Sequence, residues 1–121
     1  EFTDTSLAHI HSMFSDYDNV IIHAGLFSDT LESVATEYFN IVYVDCDLYE
    51  PTLECCDFYY NRLNQGGIML FYDYFHASAQ LPSGCKKPFT GVRLAVDEYF
   101  RNRPEKVIHF PETTHALIIK Q

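Results

Sequence analysis

The chain has 121 residues, of which 47% are hydrophobic and 16% aromatic, so we expect one folded domain over residues 1–121. Its net charge is -9 and it has no basic run. The sequence therefore lacks the positive patch that proteins use to bind nucleic acid or an anionic membrane. No apolar run approaches the ~20 residues of a membrane span, and we expect a cytoplasmic protein.

Hydrophobic periodicity and turn residues predict an alternating order of helices and strands. The predicted helices cover residues 5–14, 28–37, 51–63 and 90–103, and the predicted strands cover residues 20–23, 41–44, 67–72, 107–110 and 116–119. The connection between the last two strands is too short for a parallel crossover, so these strands must form an antiparallel hairpin. The fold class is therefore α/β, with a three-layer, mostly parallel sheet of about five strands that ends in the hairpin.

Two segments between these elements carry further signals. The sequence Asn-Gln-Gly-Gly at residues 64–67 predicts the end of the third helix, with Gly66 as a left-handed C-cap. Residues 76–89 show no period and are long enough for a functional loop. His76 could belong to a site there, although a solvated loop histidine is the simpler interpretation.

The cysteines have no metal-ligand or redox spacing. Cys46 lies between two acids, which predicts a raised pKa for its thiol. Cys55 and Cys56 are adjacent on a predicted helix and therefore point in different directions, as expected for reduced, partly buried thiols.

Acidic residues follow two of the predicted strands. The strand at residues 41–44 is a continuous apolar run, which predicts burial on both faces, and Asp45 and Asp47 come directly after it. Asp73 follows the strand at residues 67–72. If these strands are parallel neighbours, their carboxyl ends meet and the carboxylates lie side by side, a set that suits Mg²⁺ or a similar hard cation. The alternative is that these acids cap helices or hydrogen-bond a turn.

Four blocks of sequence, spread over nearly the whole chain and in the same order, resemble the macrocin O-methyltransferase (TylF) family. They are HAGLFSDTL at residues 23–31, VDCDLYEPT at 44–52, GGI at 66–68 and GVRLAVDE at 91–98. The resemblance implies the C-terminal part of a Rossmann-like, class I S-adenosylmethionine-dependent methyltransferase fold that lacks its first two strands. It also implies a Mg²⁺-dependent enzyme that methylates a hydroxyl of a sugar or another small molecule.

The resemblance assigns roles to the acidic residues. It implies that Asp45 is a metal ligand and the catalytic base or the residue that orients the base. It implies that Asp73 is a second metal ligand and that Asp47 is a ligand or a contact to the methyl acceptor. Family members carry paired acids at the end of the Gly-Gly strand, and here the first of the pair is Tyr72, so we expect weak metal affinity.

The same resemblance places the adenine of S-adenosylmethionine against Gly25, Leu26 and Phe27, although Phe27 could equally be an ordinary core residue. The glycines at positions 25, 66, 67, 84 and 91 make no G-x-G pattern for the methionine part of the cofactor. We therefore expect weak or undetectable cofactor binding by this chain alone. The alternative function is a non-catalytic binding or assembly module that keeps the methyltransferase-like fold.

The expected loss of two strands has a consequence for the sheet. It would leave the strand at residues 41–44 with an uncovered edge, which invites pairing. We expect the strand at residues 20–23 to pair with it, and a homodimer to protect the apolar surface that remains.

Overall fold

The computed structural model describes residues 6–75 and 91–121. These residues fall into two compact units, which divide after Ala35. The predicted loop at residues 76–89, with His76, lies outside the described residues. The elements in chain order are α1 (Leu7–Met13), α2 (Phe27–Thr30), a 3-10 helix (Leu31–Val34), β1 (Phe39–Val44), α3 (Tyr49–Tyr60), β2 (Leu63–Phe71), α4 (Gly91–Phe100), β3 (Ile108–His109) and β4 (Ala116–Ile119). None of the described helices has the length and apolar character to cross a membrane.

The first unit contains α1, α2 and the 3-10 helix. Ser6 caps α1, because its hydroxyl oxygen accepts a hydrogen bond from the backbone N–H of His9 at 3.2 Å. The predicted helix at residues 28–37 is replaced by the shorter α2 and the 3-10 helix, which end at Val34.

The predicted strand at residues 20–23 is wrong, and so is its predicted pairing with residues 41–44. Residues 20–24 adopt no regular structure, and the side chain of Ile21 is 79% exposed. A short apolar run becomes a strand only when a neighbouring strand supplies hydrogen bonds to its backbone.

The second unit contains a mixed sheet with the strand order β1-β2-β4-β3. β1 and β2 are parallel, whereas β4 is antiparallel to both β2 and β3. This arrangement confirms the α/β class and the C-terminal hairpin. The sheet has four strands in the described part of the chain, not five, and one of its three pairings is parallel.

β1 is buried on one face and not on both as predicted. Val42 and Val44 are buried, whereas Ile41 is 69% exposed and Tyr43 is 52% exposed. Side chains alternate across a strand, so Tyr43 lies on the same open face as Ile41. In the described part of the chain β1 pairs with β2 alone and is therefore an edge strand.

The core lies between the buried face of the sheet and helices α3 and α4. Met69 and Phe71 of β2 are fully buried, and the ring centroid of Phe71 lies 6.2 Å from that of Phe100 on α4. The buried residues of α4, Val92, Ala95, Val96 and Phe100, follow helical spacing and form one apolar stripe that faces the sheet.

Gly66 has the predicted positive φ of 77°, but it does not cap a helix. α3 ends at Tyr60, and Gly66 lies inside β2, where the register with β1 shifts between the pairs Phe39↔Leu63 and Ile41↔Ile68. The glycine therefore allows a bulge-like irregularity in β2, after which β2 continues to pair with β1.

Candidate metal centre

Three carboxylates meet at the carboxyl ends of the two parallel strands. Asp45 and Asp47 follow β1, and Asp73 lies two residues beyond the end of β2. One oxygen of each carboxylate lies within 4.8 Å of the others, with Asp45 and Asp47 exposed and Asp73 partly buried. The register pairs Val44 with Phe71, so the two strands end side by side and bring the acids together. Clustered carboxylate oxygens at this spacing can hold one hard divalent cation.

Two of these acids sit in an unusual backbone conformation. Among the described residues, Asp47 (φ 58°) and Asp73 (φ 56°) are the non-glycine residues with positive φ. The N–H of Leu48 donates to the carbonyl of Cys46 at 2.6 Å, which closes a three-residue turn centred on Asp47. The left-handed region costs about 1–2 kcal/mol for an ordinary residue and less for aspartate. Both turns are therefore held by their surroundings, which is common at functional sites.

A histidine and two tyrosines border the acidic cluster. The hydroxyl of Tyr43 lies 3.2 Å from Nε2 of His115, and the ring centroid of Tyr72 lies 5.0 Å from that of His115. Desolvation raises the pKa of Tyr43, and the negative charges of Asp45 and Asp73 raise it further. The carboxylates therefore act on the phenol of Tyr43, which belongs to the same site.

Sequence reasoning missed His115 and Tyr43. Tyr43 lies two residues before Asp45 on the open face of β1, and this spacing was a usable signal. His115 directly precedes β4, and its proximity follows only from the pairing of β2 with β4.

Cys46 lies between two of the acids, but its thiol does not behave as predicted. A hydrogen bond with the Cys55 thiol lowers the pKa of Cys46 to about 7, and this effect outweighs burial and the charges of Asp47 and Asp45, which raise it. Thr52 adds a contact of 3.4 Å between its hydroxyl oxygen and the Cys46 sulfur. The predicted raised pKa is therefore wrong, because α3 brings a partner thiol to Cys46.

The predicted adenine-binding residues lie in the first unit, whereas the carboxylates lie in the second. Gly25 has a φ of 147°, Leu26 immediately precedes α2 and is 72% exposed, and Phe27 is partly buried as the first residue of α2. These three residues form one short segment at the start of a helix.

The chain is similar to known O-methyltransferases in sequence. A profile of the macrocin O-methyltransferase (TylF) family matches residues 2–99. The mycinamicin III 3''-O-methyltransferase of Micromonospora griseorubida is 34% identical over 74 residues, which cover 58% of this chain and 29% of that protein.

Solved structures show the same fold. The O-methyltransferase NovP superposes with a TM-score of 0.70 and 22% identity, over 96% of this chain and 45% of NovP. The calicheamicin methyltransferase CalS11 superposes with a TM-score of 0.63 and 19% identity, over 93% of this chain and 42% of CalS11. The chain thus spans less than half the length of these relatives. With its Rossmann-like methyltransferase fold and the family match over most of its length, the chain belongs to the TylF macrocin O-methyltransferase family.

Proposed function

We propose that this chain forms the metal-binding and acceptor-binding part of an S-adenosylmethionine-dependent O-methyltransferase. The proposed acceptor is a hydroxyl group of a sugar or another small molecule. The observation that carries the proposal is the cluster of Asp45, Asp47 and Asp73, whose oxygens lie within 4.8 Å of one another. Membership of the family supports methyl transfer to oxygen as the reaction class, and the cluster supports this edge of the sheet as the site of the reaction.

The residues of the cluster fit a magnesium ion. All three offer carboxylate oxygens, which Mg²⁺ prefers over nitrogen or sulfur ligands. Mg²⁺ usually keeps several waters and takes few protein carboxylates, so two or three acids are enough. Tyr72 stands where family members have a further acid, and we therefore propose that the affinity is weak.

The protein has two tasks in such a reaction: to align the acceptor oxygen with the methyl group and to remove its proton. S-adenosylmethionine would supply the methyl group as an activated sulfonium, and the carboxylate of Asp45 would accept the proton of the acceptor hydroxyl. A bound cation would lower the pKa of the acceptor hydroxyl and help to orient it. Asp47 of the cluster and Tyr43 beside it would contact the acceptor.

We propose that Gly25, Leu26 and Phe27 pack against the adenine of the cofactor. The apolar, exposed Leu26 offers a surface for a ring, and Gly25 adopts a φ that other residues rarely accept.

We also propose that the chain forms a homodimer, because the edge strand β1 pairs with β2 alone among the described strands and its other edge is open to a second copy.

A metal titration tests the proposed function. Mn²⁺, which takes the same ligands as Mg²⁺ and can be followed by its free-ion electron paramagnetic resonance signal, should bind the chain and compete with Mg²⁺. Asp45→Asn and Asp73→Asn should each remove most of this binding. Glu112→Gln is the control, because it removes one exposed charge in the turn between β3 and β4. Equal binding by Asp45→Asn and the unchanged chain would contradict the proposal.

A further inference from the structure

Helix α4 supplies none of the three clustered carboxylates, yet it contacts both of the turns that carry them. We infer that α4 braces the metal site, and that its consecutive residues Asp97 and Glu98 are positioning residues that fix the distance between the Asp47 and Asp73 turns. This inference rests on the proposed function of the site.

The first contact holds the turn that contains Asp73. Tyr74, the next residue, is 8% exposed, and its hydroxyl donates a hydrogen bond to Oδ1 of Asp97 at 2.6 Å. Arg93, one helical turn before Asp97, places Nε 3.4 Å from Oδ2 of Asp97. The guanidinium carbon of Arg93 also lies 5.8 Å from the ring centroids of both Tyr74 and Phe75. The segment after Asp73 is therefore attached to α4 by a buried tyrosine and covered by an arginine.

The second contact holds the turn that contains Asp47. Tyr49 is the first residue of α3, and its hydroxyl donates to Oε2 of Glu98 at 2.7 Å. Gly91 opens α4 directly against the same backbone. A Cβ atom on Gly91 would lie 2.8 Å from the backbone nitrogen of Tyr49 and 3.3 Å from the carbonyl carbon of Leu48. Any larger residue would push α4 away from this turn.

The two contacts have a common design. Asp47 and Asp73 both hold a positive φ, a conformation that persists only where the surroundings impose it. Tyr74 follows Asp73 and donates a hydrogen bond to Asp97. Tyr49 lies two residues after Asp47 and donates a hydrogen bond to Glu98, the next residue of the same helix. A rigid helix that holds both turns fixes the separation of the carboxylates at their tips, as supporting residues do around metal ligands.

The β3–β4 connection provides a second attachment of the Asp73 turn. The N–H of Phe75 donates to the carbonyl of Thr114 in the β3–β4 connection at 3.2 Å. This bond joins backbone atoms, so we expect it to persist when the side chain of Tyr74 is substituted. Loss of the Tyr74 hydroxyl should therefore let the Asp73 carboxylate move without unfolding the turn. The effect of α4 on metal affinity can then be measured in a folded protein.

The test compares three Tyr→Phe variants of the chain in Mn²⁺ titrations. Tyr74→Phe and Tyr49→Phe remove the two hydroxyls that reach α4, and each should weaken Mn²⁺ binding by about tenfold, the lower end for residues that support a metal ligand. Tyr99→Phe is the matched control, because this α4 hydroxyl is buried and makes no hydrogen bond within the described residues. It should leave the affinity unchanged.

Asp97 offers a rescue experiment. Asp97→Asn keeps an oxygen that can accept the Tyr74 hydrogen bond, whereas Asp97→Leu does not. Mn²⁺ affinity should be retained in the asparagine variant and fall in the leucine variant. Thermal unfolding of every variant without metal separates the two roles, since a purely structural contact would lower the unfolding temperature and leave the metal affinity of the folded protein unchanged.

The outcomes separate this inference from the proposed function. If Asp45→Asn abolishes Mn²⁺ binding while Tyr74→Phe and Tyr49→Phe bind as the unchanged chain does, the bracing role of α4 is wrong and the metal site stands. If the unchanged chain fails to bind Mn²⁺, both the metal site and its brace are wrong. A weakened affinity in both tyrosine variants, with Tyr99→Phe unaffected, establishes the brace.

Discussion

The hydroxyl of Tyr43 lies 3.2 Å from Nε2 of His115, which is 72 residues further along the chain. Tyr43 is on the edge strand β1 and His115 immediately precedes β4, so the contact crosses the end of the intervening strand β2. Tyr72, just past β2, packs its ring against the same imidazole. The border of the acidic cluster is thus assembled from three strands, although the acids themselves follow only two.

The pair of Tyr43 and His115 should show energetic coupling. Tyr43→Phe and His115→Phe each remove the hydrogen bond, so the double variant should lose less stability than the sum of the single losses. The coupling energy should be about 0.5–1 kcal/mol, the lower part of the range for a hydrogen bond, because Tyr43 is half exposed. Urea unfolding of the four proteins measures it. Strictly additive losses would show that the contact contributes nothing to stability.

The positive φ of Asp47 predicts that two substitutions at this position differ in their effect on stability. Asp47→Gly should leave the free energy of unfolding nearly unchanged, since glycine accepts φ 58° and the change removes one of three crowded negative charges. Asp47→Val should lower it by about 1–2 kcal/mol or more, because a β-branched residue is strained there. Chemical unfolding measures the difference. Equal stability of the two variants would mean that the turn relaxes when its residue changes.

The meeting of the three carboxylates could be predicted from sequence because it depends on one pairing. Asp45 and Asp73 each follow a short apolar run, and parallel neighbours end at the same edge. The contact between Tyr43 and His115 could not be predicted in this way. It requires the strand order β2-β4 and its register, which are set by packing across the whole sheet.

Other features could not be predicted correctly because they depend on contacts with distant parts of the fold, which a local sequence pattern does not reveal. Residues 20–23 have the composition of a strand, but no strand of the described residues pairs with them, and composition alone cannot supply a partner. Gly66 was correctly expected to adopt a positive φ, yet the glycine signal does not say whether a helix end or a strand irregularity requires it. The thiol chemistry of Cys46 depends on where the first turns of α3 place Cys55.

Cys46 should be the most reactive thiol among Cys46, Cys55 and Cys56. Its pKa is about 7, whereas the hydrogen bond with Cys46 raises the pKa of Cys55 and burial raises that of Cys56 to about 12. Alkylation of Cys46 by iodoacetamide should therefore increase as the pH rises through about 7, as its thiolate fraction grows. Peptide mass spectrometry after brief labelling at several pH values measures each site. Preferential labelling of Cys55 in the folded protein would contradict the geometry.

Cofactor binding by this chain alone should be weak or undetectable. The glycines make no G-x-G pattern that would let a backbone approach the methionine part of S-adenosylmethionine, and the contacts that we propose at Gly25 would reach the adenine alone. Isothermal titration calorimetry, with and without Mg²⁺, measures this affinity. A dissociation constant in the micromolar range would show that the chain holds a complete cofactor site.

The buried carboxylate of Glu105 should make stability depend on pH in the acid range. Glu105 is 4% exposed, and it accepts hydrogen bonds from the Tyr60 hydroxyl at 2.8 Å and from the Gln121 N–H at 3.1 Å. Burial alone would raise its pKa, but these hydrogen bonds and the nearby charge of Lys120 hold it below the ordinary value of 4.5. A carboxyl whose pKa is lower in the folded state stabilises the fold above its unfolded pKa, and this contribution disappears as the pH falls through the folded value.

Glu105→Gln should therefore lower the free energy of unfolding at pH 7 by about 1 kcal/mol, because the amide oxygen still accepts both hydrogen bonds but without the added strength that the charge gives them. The same variant should lose less stability than the unchanged chain as the pH falls from 7 to below 4.5, because the carboxyl whose pKa is lowered in the folded state is gone. Glu112→Gln, in an exposed turn, is the matched control and should keep the slope of the unchanged chain. Urea unfolding at a series of pH values gives both quantities. Identical slopes for Glu105→Gln and the unchanged chain would show that Glu105 titrates alike in the folded and unfolded states, since only a difference between the two states makes stability depend on pH.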